Sequence, residues 1–376
     1  MKARSTLHRL PAVWRTSSSL LVAFWIVVAL FPIAWLVVMS VKLPIDAFAP
    51  NVLDVLRGPD TRARVGGPSG YDLLLAGASL GLAVTVHRLR RTLFAPFADT
   101  VGELNVGGTI LSYLTTALTL GVTTLVLTPW LGSALEAATP DGPLAHPLLG
   151  ATLQHFRAVW IDNAFHVHLR NSLYVTGGVV SISLTIGALA GYGLARKGSR
   201  IAFWILIAAL VFRALPHSTL VTGYLPPFIE FGLYGRQIAV IIVLVAINQP
   251  FTIWMLRSFF ANVPATLDEA AMVDGATRLQ AFWHVVMPVM WPGVITTGLF
   301  SFMLAYNDYL VAALLLDGRD QTMVPAIMQY FNRETTLGDQ LEAIAAAVSI
   351  TGPLFLIVLV FQRQIVSGLT QGAVKG

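Results

Sequence analysis

From Pro264 to Pro288 the chain reads P-A-T-L-D-E-A-A-M-V-D-G-A-T-R-L-Q-A-F-W-H-V-V-M-P. Thr266 stands three residues before Glu269, the spacing of a capping box at a helix start. Leu267, Ala270 and Ala271 share one helical face. Gly275 can take the left-handed conformation that ends a helix. Leu279, Phe282 and Val286 form the apolar face of a second helical stretch, which Pro288 is expected to stop. The segment therefore reads as a short helix, a sharp turn and another helix. Small Ala270 and Ala271 permit close approach, and exposed Leu267 and Met272 would supply apolar contact. Two readings compete: a docking knob for a protein, or an amphipathic helix resting on a bilayer. Interfacial helices favour Lys and Arg on the polar face. This one carries Asp268, Glu269 and Asp274, which favours the protein partner.

The rest of the chain says where this elbow lies. Of 376 residues, 56% are hydrophobic and only 11% charged. A soluble domain carries roughly 25% charged residues, so an ordinary soluble enzyme and a disordered chain are both excluded. Mean hydropathy is +0.72. There is no cysteine, which removes disulfides, thiolate metal sites and cysteine nucleophiles. A membrane-crossing helix needs about 20 apolar residues. Six runs qualify: Ser19–Val41, Ser172–Ala195, Ile201–Val221, Ile238–Phe260, Gly293–Leu316 and Ala343–Phe361. Tyr71–Val86 is short and Val106–Leu131 is rich in Thr and Gly, but both are counted, giving eight spans in an all-α polytopic bundle. The first run is too long for a signal-peptide core and is read as retained. Gly77/Gly81 and Gly187/Gly191 have the G-x-x-x-G spacing that lets helices approach closely.

Orientation follows from the Lys and Arg between spans. With the N-terminus inside, 14 of the 24 fall in cytoplasmic segments, including the Arg88, Arg90, Arg91 cluster. Both termini and the elbow are then cytoplasmic. The formal net charge of +5 is read as this loop bias, with no nucleic-acid partner.

With the elbow so placed, the sequence resembles a known family. Glu269-Ala270-Ala271, Gly275, Val285, Met287 and Pro288 are similar to the E-A-A-x3-G-x9-I-x-L-P loop of binding-protein-dependent ABC importer permeases. Val285 replaces Ile and Met287 replaces Leu. Asp274 and Phe282 resemble the sugar-importing branch. Arg170-Asn171-Ser172-Leu173 is similar to the start of the second core helix in maltose-type permeases. Ala305-Tyr306-Asn307-Asp308-Tyr309 resembles a cluster in their fifth core helix, and Gly368–Gly376 resembles their C-terminus. Residues 43–169 depart from the common pattern and are similar to the longer α-glucoside or trehalose-type permeases.

The resemblance implies a type I importer permease with six core helices plus an inserted pair. The implied organisation is an N-terminus 1–18, a first span 19–42, an inserted region 43–169, a core permease 170–362 with a coupling loop 261–292, and a tail 363–376. The family's coupling helices sit in a cleft of the ATP-hydrolysing subunit, so the coupling residues implied here are Leu267, Asp268, Glu269, Ala270, Ala271, Met272, Asp274, Gly275, Phe282 and Pro288. The implied partners are a second related permease subunit, two cytosolic ATPase subunits, an extracytoplasmic sugar-binding protein and membrane lipid. The chain has no G-x-x-x-x-G-K-[ST] sequence. ATP and Mg are therefore expected on the partner ATPase, with no cofactor, metal or catalytic residue on this chain. The implied location is the bacterial cytoplasmic (inner) membrane, and the implied cargo a di- or oligosaccharide such as an α-glucoside.

Polar groups within spans are candidates for a substrate path: Arg213, Asn248, Tyr306, Asn307 and Asp308. Each has a plainer reading as an interhelical hydrogen bond or a span boundary. Pro226-Pro227 and Asn248-Gln249-Pro250 are expected to break or kink helices. His166 and His168 lack a further ligand set. An ion-coupled secondary transporter or channel is the alternative function, but it needs ionisable groups at mid-span, and only Arg213 and Asp308 qualify.

Overall fold

The computed structural model describes residues 12–98, 116, 120–121, 123–140, 142, 144–213, 217–332 and 336–373. Among them the chain is helical, with no strand and one isolated bridge between Ser69 and Pro147. It divides into two compact units, 1–159 with 335–349, and 160–334 with 350–376.

In the second unit three long helices form the core. Helix His166–Arg196 packs along Gln237–Asn262, and Met287–Tyr306 packs against both. Small side chains and glycines set the first crossing. A Cβ on Gly187 would lie 2.6 Å from Thr252 Cγ2, and one on Gly191 would lie 2.9 Å from the Arg257 nitrogen. The Gly187/Gly191 pair thus lies at a helix contact. No heavy atom lies within 4 Å of a Cβ built on Gly77 or Gly81, so that second pair packs against nothing among the described residues. One apolar cluster gathers Val175, Val179, Val240, Leu244 and Leu315; another gathers Leu256, Phe260, Phe282, Val286 and Met290.

The first unit begins with helix Ala12–Ser40, whose apolar residues from Leu20 to Ile33 are exposed. Three short helices follow, Pro44–Ala47, Val52–Arg57 and Pro59–Arg64. Helix Gly70–Ala98 packs on Thr128–Ala138. Segment 144–152 ties these pieces together: Gly150 N donates to Arg57 O at 2.8 Å and Thr152 N to Val41 O at 2.8 Å. Gly58 has φ +64, and a Cβ on Gly150 would lie 2.1 Å from the Gly58 carbonyl oxygen, so only glycine fits there. Buried Lys42 donates to the carbonyls of Leu56 and Gly150. Asp46 accepts from Thr61 N and Oγ1, both at 2.6 Å.

Five described helices are long and apolar enough to cross a membrane: Ser17–Ser40, His166–Arg196, Gln237–Asn262, Arg278–Tyr306 and Leu337–Gln362. Five of the eight expected spans thus have a counterpart of that length among the described residues. Gly70–Val86 and Arg200–Phe212 are shorter apolar helices, and Val106–Leu131 lies largely outside the described residues. The expected span Ile201–Val221 is two helices, Arg200–Phe212 and His217–Glu230. Residues 214–216, between these two helices, lie outside the described residues.

The expected span Gly293–Leu316 is also displaced. Its helix ends at Tyr306, and a separate short helix covers Leu310–Leu315. Asn307 Nδ2 donates back to Met303 O, and Asp308 Oδ2 accepts from Ala312 N at 3.0 Å. These side chains compete for backbone partners and separate the two helices. Pro226, Pro227 and Pro250, by contrast, lie within helices that continue through them.

Candidate functional site

The elbow lies between helices Gln237–Asn262 and Met287–Tyr306. Its first helix is Thr266–Val273. The helical turn starts earlier than the capping-box reading expected, because Leu267 N bonds Pro264 O and Asp268 N bonds Ala265 O. Those donors are taken, so Thr266 caps nothing and Ala265 is the N-cap. The capping box belongs to the next helix: Gln280 N donates to Thr277 Oγ1 and Thr277 N to Gln280 Oε1. Gly275 has φ +90. Its N–H bonds Met272 O, and Ala276 N bonds Ala271 O, closing the helix with a left-handed turn.

Pro288 does not stop the second stretch. Residues Phe282–Val286 form one wide π turn, and the helix continues through Pro288 to Tyr306. Proline has no N–H and its ring crowds the carbonyl four residues back. A wider turn just before it relieves that crowding.

Burial divides the ten coupling candidates into three groups. Glu269, Ala270, Asp274, Gly275 and Pro288 are exposed, and Val273 beside them is 87% exposed. Leu267 and Met272 are half-buried rather than exposed, while Asp268, Ala271 and Phe282 are buried. Asp268 is therefore not part of an acidic outer face. It is held at the centre of a polar knot beneath the elbow.

Arg196, the last residue of helix His166–Arg196, makes that knot. Its Nε donates to Asp268 Oδ2 at 2.7 Å. Its Nη1 donates to the carbonyls of Phe260 and Val263 at 3.2 and 3.0 Å. These carbonyls end helix Gln237–Asn262, where a cation complements the helix dipole. Tyr192 Oη donates to Asp268 Oδ1 at 2.6 Å. The Tyr192 ring packs 4.9 Å from that of Phe282 and 5.6 Å from that of Phe260. One guanidinium thus joins the ends of three elements. Neither Tyr192 nor Arg196 belongs to the elbow motif, since they lie 76 and 72 positions from Asp268. The available signal was the i, i+4 spacing of Tyr192 and Arg196 with Asp268 and Ala271 on one face.

Each substrate-path candidate has a partner within the fold. Asn248 is fully buried and its Nδ2 donates to Ser301 Oγ at 2.8 Å, an interhelical bond. Asn248 Oδ1, Thr176 Oγ1 and Ser183 Oγ are buried without a partner in this core. Arg213 stacks over Phe251, 4.8 Å from the ring centre. Tyr306 is buried and donates to Ile350 O, while Asn307 and Asp308 make the local bonds described above. His168 Nδ1 bonds Gln321 O, and Asn171 Nδ2 donates to Arg319 O and Gln321 O. Ser172 Oγ accepts from Met323 N at 2.8 Å. These residues fasten the 317–323 loop. No cluster of three metal-ligating side chains occurs among the described residues.

Five long apolar helices define a multi-pass membrane protein, with the fastened elbow joining two of them. Comparison with known proteins gives the family. The chain belongs to the binding-protein-dependent transport system inner membrane components, whose family description matches residues 183–371. It is thus an inner-membrane protein. It is 34% identical over 232 residues to the trehalose/maltose transport system permease protein MalG of Thermococcus litoralis, covering 60% of this chain and 82% of that protein. It is 34% identical over 229 residues to the trehalose transport system permease protein SugB of Mycobacterium tuberculosis, covering 60% and 82%. It is 33% identical over 227 residues to the diacetylchitobiose uptake system permease protein DasC of Streptomyces coelicolor, covering 60% and 81%.

Proposed function

We propose that this chain is the sugar-translocating permease subunit of an ATP-driven importer, and that residues 264–288 couple it to a separate ATPase. The carrying observation is the elbow itself. Exposed Glu269, Ala270, Val273, Asp274 and Gly275 form a small, acidic and apolar tip. The Arg196–Asp268 pair anchors that tip to the ends of two long helices. A push on the tip is then transmitted as rigid-body movement of packed helices.

In this reading the elbow and both termini face the cytoplasm. A second related permease subunit completes the translocation path, two ATPase subunits hydrolyse ATP with Mg, and an extracytoplasmic binding protein delivers the cargo. The cargo is a di- or oligosaccharide; the trehalose, maltose and diacetylchitobiose relatives support that class. Ion coupling is disfavoured, because Arg213 and Asp308 are engaged with Phe251 and Ala312.

The test is ATP hydrolysis by the purified assembly. Hydrolysis is expected to rise on adding sugar-loaded binding protein. Gly275→Asp and Glu269→Lys are expected to abolish uptake while membrane insertion stays intact. Ion-gradient-driven uptake without an ATPase response would reject the reading.

A further inference from the structure

A groove with two arginines in its lining lies where helix His166–Arg196 gives way to helix Arg200–Phe212. It encloses about 200 Å³ and is lined by Leu194, Ser199, Arg200, Phe203, Trp204 and Arg257. Arg257 comes from the neighbouring helix Gln237–Asn262, and its guanidinium lies 5.0 Å from the Phe203 ring centre. Arg200 is exposed and Arg257 half-buried. Among the described residues neither forms an ion pair with a carboxylate within 4 Å. Two cations thus face one cavity with no internal counter-charge. Trp204, 67% exposed, stands at its edge, a residue type enriched at the membrane–water boundary. Leu194 and Phe203 supply apolar walls. The groove is at the end of a membrane-crossing helix, the level at which lipid headgroups lie.

We propose that this groove binds the phosphate of an anionic phospholipid, with Arg200 and Arg257 as its counter-ions and Trp204 and Phe203 against the glycerol and upper acyl chain. Basic pockets between membrane helices recognise such headgroups through charge. A soluble anion would gain the charge contacts but not the apolar ones. The site is separate from the elbow tip and does not depend on the coupling role.

The test uses the full-length chain purified with its partners into mixed phosphatidylglycerol and phosphatidylcholine nanodiscs of matched acyl chains. Lipid retained after detergent extraction is counted by native mass spectrometry. The wild type is expected to keep phosphatidylglycerol in preference. Arg257→Gln and Arg200→Gln are each expected to weaken retention about fivefold, while Arg157→Gln, an exposed arginine elsewhere, leaves it unchanged. Arg200 is exposed and its side chain makes no hydrogen bond among the described residues, so its variant keeps the test valid if Arg257→Gln misfolds. Equal retention of the two lipids by the wild type, or unchanged retention in both groove variants, overturns the proposal.

Discussion

Arg196 illustrates how much one side chain can organise. Its ion pair with Asp268 is shielded, with side-chain exposures of 14% and 9%. Removing one partner of such a pair strands a charge and costs ~3–5 kcal/mol. Asp268→Ala is therefore expected to lower the thermal midpoint of the purified assembly and to uncouple ATP hydrolysis from the binding protein. An apolar replacement of both partners, Arg196→Met with Asp268→Leu, is expected to recover much of the stability, since no buried charge remains. It should leave coupling weak, because the carbonyls of Phe260 and Val263 lose their donor. Thermal scanning and stimulated ATPase assays on the single and double variants check this. A double variant less stable than Asp268→Ala would contradict it. The elbow motif contains Asp268, but pairing it with a residue 72 positions away requires the fold.

At the scale of elements, the contact between helices His166–Arg196 and Gln237–Asn262 is the tightest feature of the second unit. Gly191 faces backbone there, so its replacement cannot be relieved by a rotamer change. Gly193, two residues on, has no atom within 4 Å of a built Cβ. Gly191→Val is expected to reduce the yield of folded membrane-inserted protein severely, whereas Gly193→Ala is expected to be tolerated or slightly stabilising. Size-exclusion yield in detergent distinguishes them; equal yields would show that the helices do not cross at Gly191. The element boundaries were less legible than the elements. Apolar runs announce membrane helices, but a run does not show where Asn307 and Asp308 divert backbone bonds, or that Pro288 follows a π turn.

For the whole molecule, the first unit's organisation carries a pH dependence. His155 is buried and its Nε2 donates to the Lys42 carbonyl at 3.0 Å. Burial pushes its pKa below the ordinary 6.5, and the bond to the carbonyl only partly opposes this. The unfolded state then binds the proton more readily, so stability is complete above pH 6.5 and declines as pH falls through that value. Amide exchange over residues 41–62 and 150–157 is expected to accelerate at pH 5 relative to pH 7.5. In His155→Gln, which keeps a donor and cannot titrate, the difference should shrink. An unchanged pH difference in that variant would exclude His155 as its source.

The sequence by itself determined the all-α membrane class, the elbow and its family resemblance. Long apolar runs can satisfy their backbone in lipid only as helices, and motif spacing is a local property. The tertiary structure alone decided which elbow residues face outward, that Asp268 and Phe282 lie beneath, and that Asn248 and Tyr306–Asp308 serve helix contacts and ends. Those outcomes depend on contacts between residues far apart in the chain, which no local pattern encodes.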